Sequence, residues 1–294
     1  MRESAAHQPC ESFREFYESV GTHYPEEEVV YRSLKGILRR QFVQSYLNRF
    51  QGKLLDLGCN RGAYLSYYQH GPTFGVDIAF SVLRIAKKRQ ANSCFIQGDV
   101  QNLGFIRSDA FDCLLCSEVI EHVTQPELVF REASRILKPG GQFLLTTPNY
   151  TRQRPTWISI QEMYEYGVTG VVNDTYFHTA FRPEELRAMA ARAGFEILES
   201  GTFEKEVKYS TRIPVLGFHL LNFINKISLL SLRIDRFNRR MLESGSLLIY
   251  RLSVFFGLDQ RLTKQVKEGV RSFVFVRKPL ANSSFGKERQ AGVA

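Results

Sequence analysis

Cysteine and tryptophan are scarce in this chain, with five and one among 294 residues. An odd number of cysteines at irregular positions gives no disulfide framework, so the thiols are expected to be buried and reduced. Cys113 and Cys116 stand three apart in FDCLLCSEV, but that run reads as a strand. Three-residue spacing on a strand sends the two side chains to opposite faces, which excludes a shared metal or redox site. The opening MRESAAHQPCESFREFY lacks an apolar run of signal-peptide length, and a cytoplasmic protein is the expectation. IPVLGFHLLNFINKISLLSL is broken by His219, Asn222, Asn225 and Lys226, so it is a poor membrane span. Internal repeats and low-complexity blocks are absent. Acidic residues are outnumbered, 30 against 39 Lys and Arg, for a net charge of +9. That imbalance suits an anionic partner: nucleic acid, anionic lipid or a phosphorylated ligand.

What is present is an ordinary globular composition, 44% hydrophobic and 23% charged, long enough for one large domain with elaborations. Residues 12–50 read as helices, with Val30, Leu34, Ile37, Leu38 and Phe42 near helical spacing. After Gly52 strands and helices alternate: KLLDLG, a short helix GAYLSYYQH, TFGVDIA, then SVLRIAKKRQ with Ser81 as its cap. CFIQGDV, FDCLLCSEV, the helix QPELVFREASRILK and the strand GQFLLTTP follow. Unbroken apolar strands alternating with helices predict an α/β, doubly wound, mostly parallel sheet. Residues 149–179 read as an irregular cap, PEELRAMAARAG as a helix, and FEILESGTF and RSFVFVRKP as strands. The expected organisation is a helical lid over 1–50, a core over 51–202 and 270–280, an apolar and basic helical insertion over 203–269, and a polar tail over 281–294.

LDLGCNRG runs from a strand into a turn. The dinucleotide fingerprint needs three glycines, and here Asn60 stands where the middle one would let a pyrophosphate approach the backbone. Asparagine tolerates the left-handed conformation such a turn requires. Three carboxylates, Asp56, Asp77 and Asp99, fall at strand ends, where open α/β sheets bind ligands. An acidic cleft suits a cationic ligand better than a diphosphate.

LLDLGCNRG, GVD, GDV, FDCLLCSEVIEHV and LKPGGQFLLTTPN occur in one order and spacing. By these motifs, Lys53 to Gly194 resembles the class I S-adenosylmethionine-dependent methyltransferases. The resemblance implies a seven-stranded Rossmann-like sheet and S-adenosyl-L-methionine as cofactor. It also assigns roles: the backbone at Gly58, Cys59, Asn60 and Gly62 beside the methionine portion, and Asp56 near its amino group. Asp77 would grip the ribose diol next to Ile78, Asp99 and Val100 would meet the adenine, and Ser117 would line the donor site.

SEVIEHV places Glu118, Glu121 and His122 at i, i+3 and i+4, one face of a helical turn. Two carboxylates and an imidazole on one face can hold a divalent cation such as Mg. The motif resembles that of the ubiquinone-biosynthesis O-methyltransferases, whose matching residues bind a cation. It is also similar to small-RNA 2′-O-methyltransferases, which add a later histidine; His178 occupies a comparable place here, and its other reading is a substrate-pocket or structural histidine and not a ligand. Metal-independent relatives carry the same turn, with Glu118 positioning the cofactor and His122 acting as hydrogen-bonding residue or general base.

The insertion carries RIDRFNRRML, with Ile234, Phe237 and Met241 on one face and Arg233, Arg236 and Arg240 around the other. Such a helix buries its apolar face in protein, as a lid or homo-oligomer interface, or lies on an anionic membrane, peripherally on its inner face. Tyr17 and Tyr24 are expected to form the opposite side of a lid. The leading expectation is methyl transfer to a hydroxyl of a small-molecule or lipid-linked substrate. RNA 2′-O-methylation and a catalytically idle cofactor-binding adaptor are the alternatives.

Overall fold

The computed structural model describes residues 10–25, 30–164, 166–169, 174–227 and 235–280. The chain forms two compact units, one from the segments ending at Tyr24, spanning Gln44–Gly201 and starting at Phe273, the other from Pro25–Val43 and Thr202–Ser272.

The first unit carries the sheet. Strands β1 (Leu54–Leu57), β2 (Thr73–Asp77), β3 (Cys94–Gln97), β4 (Phe111–Ser117), β5 (Leu137–Pro148), β8 (Glu196–Phe203) and β9 (Arg271–Arg277) lie in the order β3-β2-β1-β4-β5-β9-β8. Neighbours from β3 through β5 are parallel. Parallel neighbours need crossovers, and helices α3 (Phe80–Arg89) and α4 (Pro126–Ile136) provide two of them. The buried side of α4 shows why it forms there: Pro126 starts it, and Val129, Phe130, Ala133 and Ile136 recur at helical spacing on the sheet. Leu55, Leu57, Leu114, Cys116, Phe130 and Phe143 belong to one core. Cys116 lies in that core, whereas the Cys113 thiol donates to the Gln51 carbonyl at 3.3 Å. The two thiols are buried and unjoined, as the strand period requires.

The chain moves outward from β1 to β3 and returns to β4. The β1 and β4 carboxyl ends therefore flank the topological switch point, the ligand-binding position of open α/β sheets. The turns LGCNRG and SEVIEHV begin at those two ends.

Several local expectations are corrected. GAYLSYYQH makes only a tight turn, Leu65–Tyr67. Ser81 is not the cap of α3, because the helix starts one residue earlier after Ala79. Its first N–H groups are instead taken by Glu18, which lies on α1 (Cys10–His23): Phe80 and Ser81 both donate to this carboxylate, the latter at 3.0 Å. Residues 149–179 are not wholly irregular. They contain β6 (Trp157–Ser159) paired antiparallel with β7 (Thr175–Phe177), and between them the single turn α5 (Gln161–Tyr164). Phe16 of α1 packs with Ile160 and Val168 of this cap, joined by Tyr17, Val20 and Tyr176. Helix α6 (Pro183–Arg192) follows the cap, and Gly194 in left-handed conformation (φ +85°) ends it.

In the second unit, α2 (Leu34–Leu47) contributes Leu34 and Leu38 to a cluster with Val207, Leu247 and Tyr250. Helices α7 (Lys205–Ser210), α8 (Arg212–Ile227), α9 (Asp235–Phe255) and α10 (Asp259–Lys264) complete it. A Cβ on Gly245 of α9 would lie 3.3 Å from Pro214 of α8, so the two helices pack closely there. The expected amphipathic face of Arg233 and Ile234 and the tail 281–294 lie outside the described residues, as do the side chains of Asn222, Asn225, Lys226, Arg236, Phe237 and Arg240.

Candidate active site

At the end of β1 the backbone takes left-handed angles at Gly58, Asn60 and Gly62 (φ +76°, +46° and +73°). A Cβ on Gly58 would fall 2.3 Å from Val119, so that position is closed to side chains on conformation and on space. Gly58 and Cys59 both donate to the Val76 carbonyl, at 2.8 and 2.9 Å, folding the turn back over β2. Asn60 fills a left-handed slot, the role its residue type permits.

Asp77, at the end of β2, accepts the Asn60 N–H at 2.8 Å and the Ala79 N–H at 3.0 Å. Burial outweighs these bonds and pushes its carboxyl up to about 6. Asp56 is only 2% exposed. Burial first, and the nearby Asp77 charge second, push its carboxyl up to about 8. Its Oδ2 is buried without a hydrogen-bond partner among the described residues. A buried carboxylate oxygen with nothing to accept is costly, and a cationic amino group is the partner that would satisfy it. Asp99 accepts the Gln101 N–H at 2.8 Å in its own turn, Gln97 donates to the Ile78 carbonyl at 2.9 Å, and Val100 is buried beside them.

On the other side of the switch point, the turn after β4 differs from the expected helical face. Glu118 is left-handed (φ +60°), and a tight turn covers only Ile120–His122. Glu118 is thereby turned out of the set: its Oε1 accepts from Thr146 at 3.2 Å, and the Ser117 and Thr146 hydroxyls are 3.0 Å apart. Glu121 is buried, with Oε2 accepting from Thr147 of β5 at 3.1 Å. The backbone carbonyl of Glu121 accepts the Thr179 N–H at 2.9 Å, which brings the segment after β7, and His178 with it, against the turn. Glu121, His122 and His178 each offer a ligand atom within 4.8 Å of the others. A cation-sized cluster is thus present, with His178 in the place expected for Glu118.

Burial, and next the neighbouring His178, lower the His122 imidazole to about 3, against a hydrogen bond to the Phe177 backbone that raises it. His122 is therefore neutral at pH 7, and its Nδ1 is buried with no hydrogen-bond partner among the described residues. If one ring nitrogen donates to Phe177, Nδ1 carries the lone pair. Tyr17 closes over this group, its ring 5.6 Å from His122, and Tyr176 stacks on the imidazole at 6.1 Å. The Tyr17 hydroxyl is buried without a partner among the described residues, and burial raises its pKa far above the usual phenol value. Glu18, Thr147 and Tyr176 carry no local sequence signal for these positions, since each acts on a residue distant in the chain.

Comparison with known proteins identifies the family. The Methyltransferase domain family matches residues 55–145. The ubiquinone biosynthesis O-methyltransferase of Chromobacterium violaceum is 30% identical over 167 residues, covering 53% of this chain and 70% of that protein. The chain belongs to the class I S-adenosylmethionine-dependent methyltransferases. The corresponding protein of Pseudomonas fluorescens is 28% identical over 190 residues, 62% of this methyltransferase and 81% of its own length. The fold is shared with the S-adenosylmethionine-dependent methyltransferase of Mesorhizobium loti, at TM-score 0.50 and 17% identity over 81% of this chain and 96% of that one. The residues at the switch point fit this methyltransferase's cofactor: the unpartnered Asp56 Oδ2 suits its ammonium group, and the Asn60 turn has no diphosphate to admit.

Proposed function

We propose that this methyltransferase transfers the methyl group to a hydroxyl of a small-molecule or lipid-linked acceptor, with Glu121, His122 and His178 receiving that hydroxyl. The observation that carries this reading is the neutral His122, whose buried Nδ1 has no protein donor, in a cluster walled by Tyr17 and Tyr176. The relatives named for ubiquinone biosynthesis O-methylation support oxygen as the accepting atom.

S-adenosylmethionine, when bound, supplies a methyl group on a positively charged sulfur, open to displacement by an oxygen lone pair. Asp56 is assigned to its amino group, Asp77 with Ile78 to the ribose, and Asp99 with Val100 to the adenine. Gly58, Cys59, Asn60, Gly62 and Ser117 border the methionine portion. The acceptor O–H donates to His122 Nδ1, which aligns an oxygen lone pair with the methyl group and takes the proton as the C–O bond forms. A base lowered to about 3 takes this proton late, once the oxygen has gained positive character. Glu121, His122 and His178 together also have the donor chemistry for a divalent cation; were one held there, the His122 Nδ1 lone pair would ligate it and the cation would polarise the hydroxyl in place of that base. Tyr17 and Tyr176 exclude water.

The test is incubation with methyl-labelled cofactor and separated lipid, small-molecule and RNA fractions, with and without chelator. Label recovered as an ether in the lipid or small-molecule fraction supports the proposal. Label confined to RNA, or recovered on nitrogen, contradicts it.

A further inference from the structure

The helices of the second unit carry large apolar side chains facing outward. On α8 the exposed positions include Ile213, Leu216, Leu220 and Phe223, spaced three, four and three apart, with Ile213 69% and Leu216 70% exposed. That spacing makes one continuous stripe. The turn from α9 to α10 carries a second apolar feature. Phe255 and Phe256 are 80% and 64% exposed and pack edge to face on each other at 5.1 Å, followed by the exposed Leu258. Gly257, left-handed at φ +66°, holds this turn. Isolated exposed apolar residues are ordinary, but two adjacent exposed phenylalanines at a helix end, beside a helix with an exposed apolar stripe, are not.

Charge decides what covers them. Residues 203–269 hold 12 of the chain's 39 Lys and Arg but only 6 of its 30 Asp and Glu. Less than a quarter of the chain thus holds two-thirds of the net positive charge. Around the aromatic turn the exposed Arg251, Arg261, Lys264 and Lys267 outnumber the acids Asp259 and Glu268 two to one, and Arg212 is exposed beside Ile213 at the start of α8. A second copy would bring like charge against like charge. RNA would match the charge but leave the phenylalanines in water. A surface with both negative headgroups and an apolar interior satisfies both features. Among the described residues no helix is long and apolar enough to cross a membrane, so contact with a bilayer would be at its interface.

We propose that the second unit docks on an anionic phospholipid bilayer, with Phe255 and Phe256 inserted as a wedge and the surrounding Arg and Lys on the headgroups. This docking is independent of which acceptor is methylated.

The experiment is co-sedimentation of the full chain with vesicles of phosphatidylcholine alone and of phosphatidylcholine with phosphatidylglycerol. The protein is expected to pellet with the anionic vesicles only, and to be released as salt rises from about 0.05 to 0.5 M. F255S/F256S should weaken vesicle binding by about tenfold or more, and Leu216→Glu should weaken it separately. Both variants should keep the wild-type melting temperature and affinity for S-adenosylmethionine, which separates lost docking from lost folding. Failure to bind anionic vesicles, or full binding by F255S/F256S, overturns the proposal. So does a concentration-dependent dimer that the same substitutions abolish, or single-stranded RNA binding that they weaken in place of vesicle binding.

Discussion

Asp56 and Asp77 lie on the same face of adjacent parallel strands, Asp56 in register with Gly75 two residues before Asp77. Burial raises both carboxyls, to about 8 and about 6, with the Asp77 charge adding to the rise at Asp56 and the Glu18 charge to that at Asp77. A raised carboxyl means that the folded cofactor-free protein holds protons that the unfolded chain has lost. This contribution to stability is fully present below the unfolded value of 3.8 and is lost as pH rises through about 6 to 8. The melting temperature of the cofactor-free protein should therefore fall as pH rises from about 4 to about 8 and level off above that. A bound ammonium group favours ionised Asp56, so binding at pH 7 should release close to one proton, about 0.9 if the carboxyl titrates near 8. Calorimetric titration in buffers of different ionisation enthalpy measures that release. Asp56→Asn should abolish it, and absence of proton release in the wild type would refute the assignment of Asp56.

His122→Ala should reduce kcat by roughly 10² to 10⁴, the usual range for a lost proton-transfer group, and His178→Ala should reduce it by less. Affinity for S-adenosylmethionine should stay within about threefold, because neither imidazole is assigned to the cofactor. The kcat and binding constants of the same preparations check this. Equal loss of binding and turnover would place the histidines on the cofactor instead.

Where chemistry repeats locally, the sequence was legible. The buried run LLDL, the alternation of strands and helices after Gly52, and the left-handed slot at Asn60 all follow from apolar patterning and backbone preference. SEVIEHV starts at the end of β4, but Glu118, Glu121 and His122 do not form the one helical face that their spacing predicts. A single left-handed residue, Glu118, turns its own side chain away, and no nearby pattern announces that conformation. His178 reaches the turn through a hydrogen bond from Thr179 to the Glu121 carbonyl and through β6 pairing with β7. Both contacts span long stretches of chain, and short strands in a polar segment give little periodicity to read. Glu18 replaces Ser81 as the cap of α3 for the same reason: its partner is 62 residues away.

Glu18 offers a separate test of that long-range cap. Burial alone would raise its carboxyl, but bonds from Ser81 and Phe80 hold it below the usual value. Its stabilising effect is present above the unfolded pKa and is lost as pH falls through the lowered one. Glu18→Ala should cost about 1 kcal/mol, the scale of a lost helix cap, measured by denaturant unfolding at pH 7. The difference from wild type should shrink below about pH 4, where the carboxylate protonates. An unchanged midpoint at pH 7 would show that α3 needs no cap from α1.

The central claim is that the carboxyl ends of β1 and β2 hold S-adenosylmethionine, and Asp77→Ala tests it most directly. Calorimetric titration of the cofactor into the purified wild type should give a saturating isotherm with roughly micromolar affinity, about 8 kcal/mol of binding free energy. Asp77→Ala should give no saturable heat, while a cooperative melt of the variant shows that the sheet still forms. Saturable binding by Asp77→Ala at wild-type affinity would contradict the account.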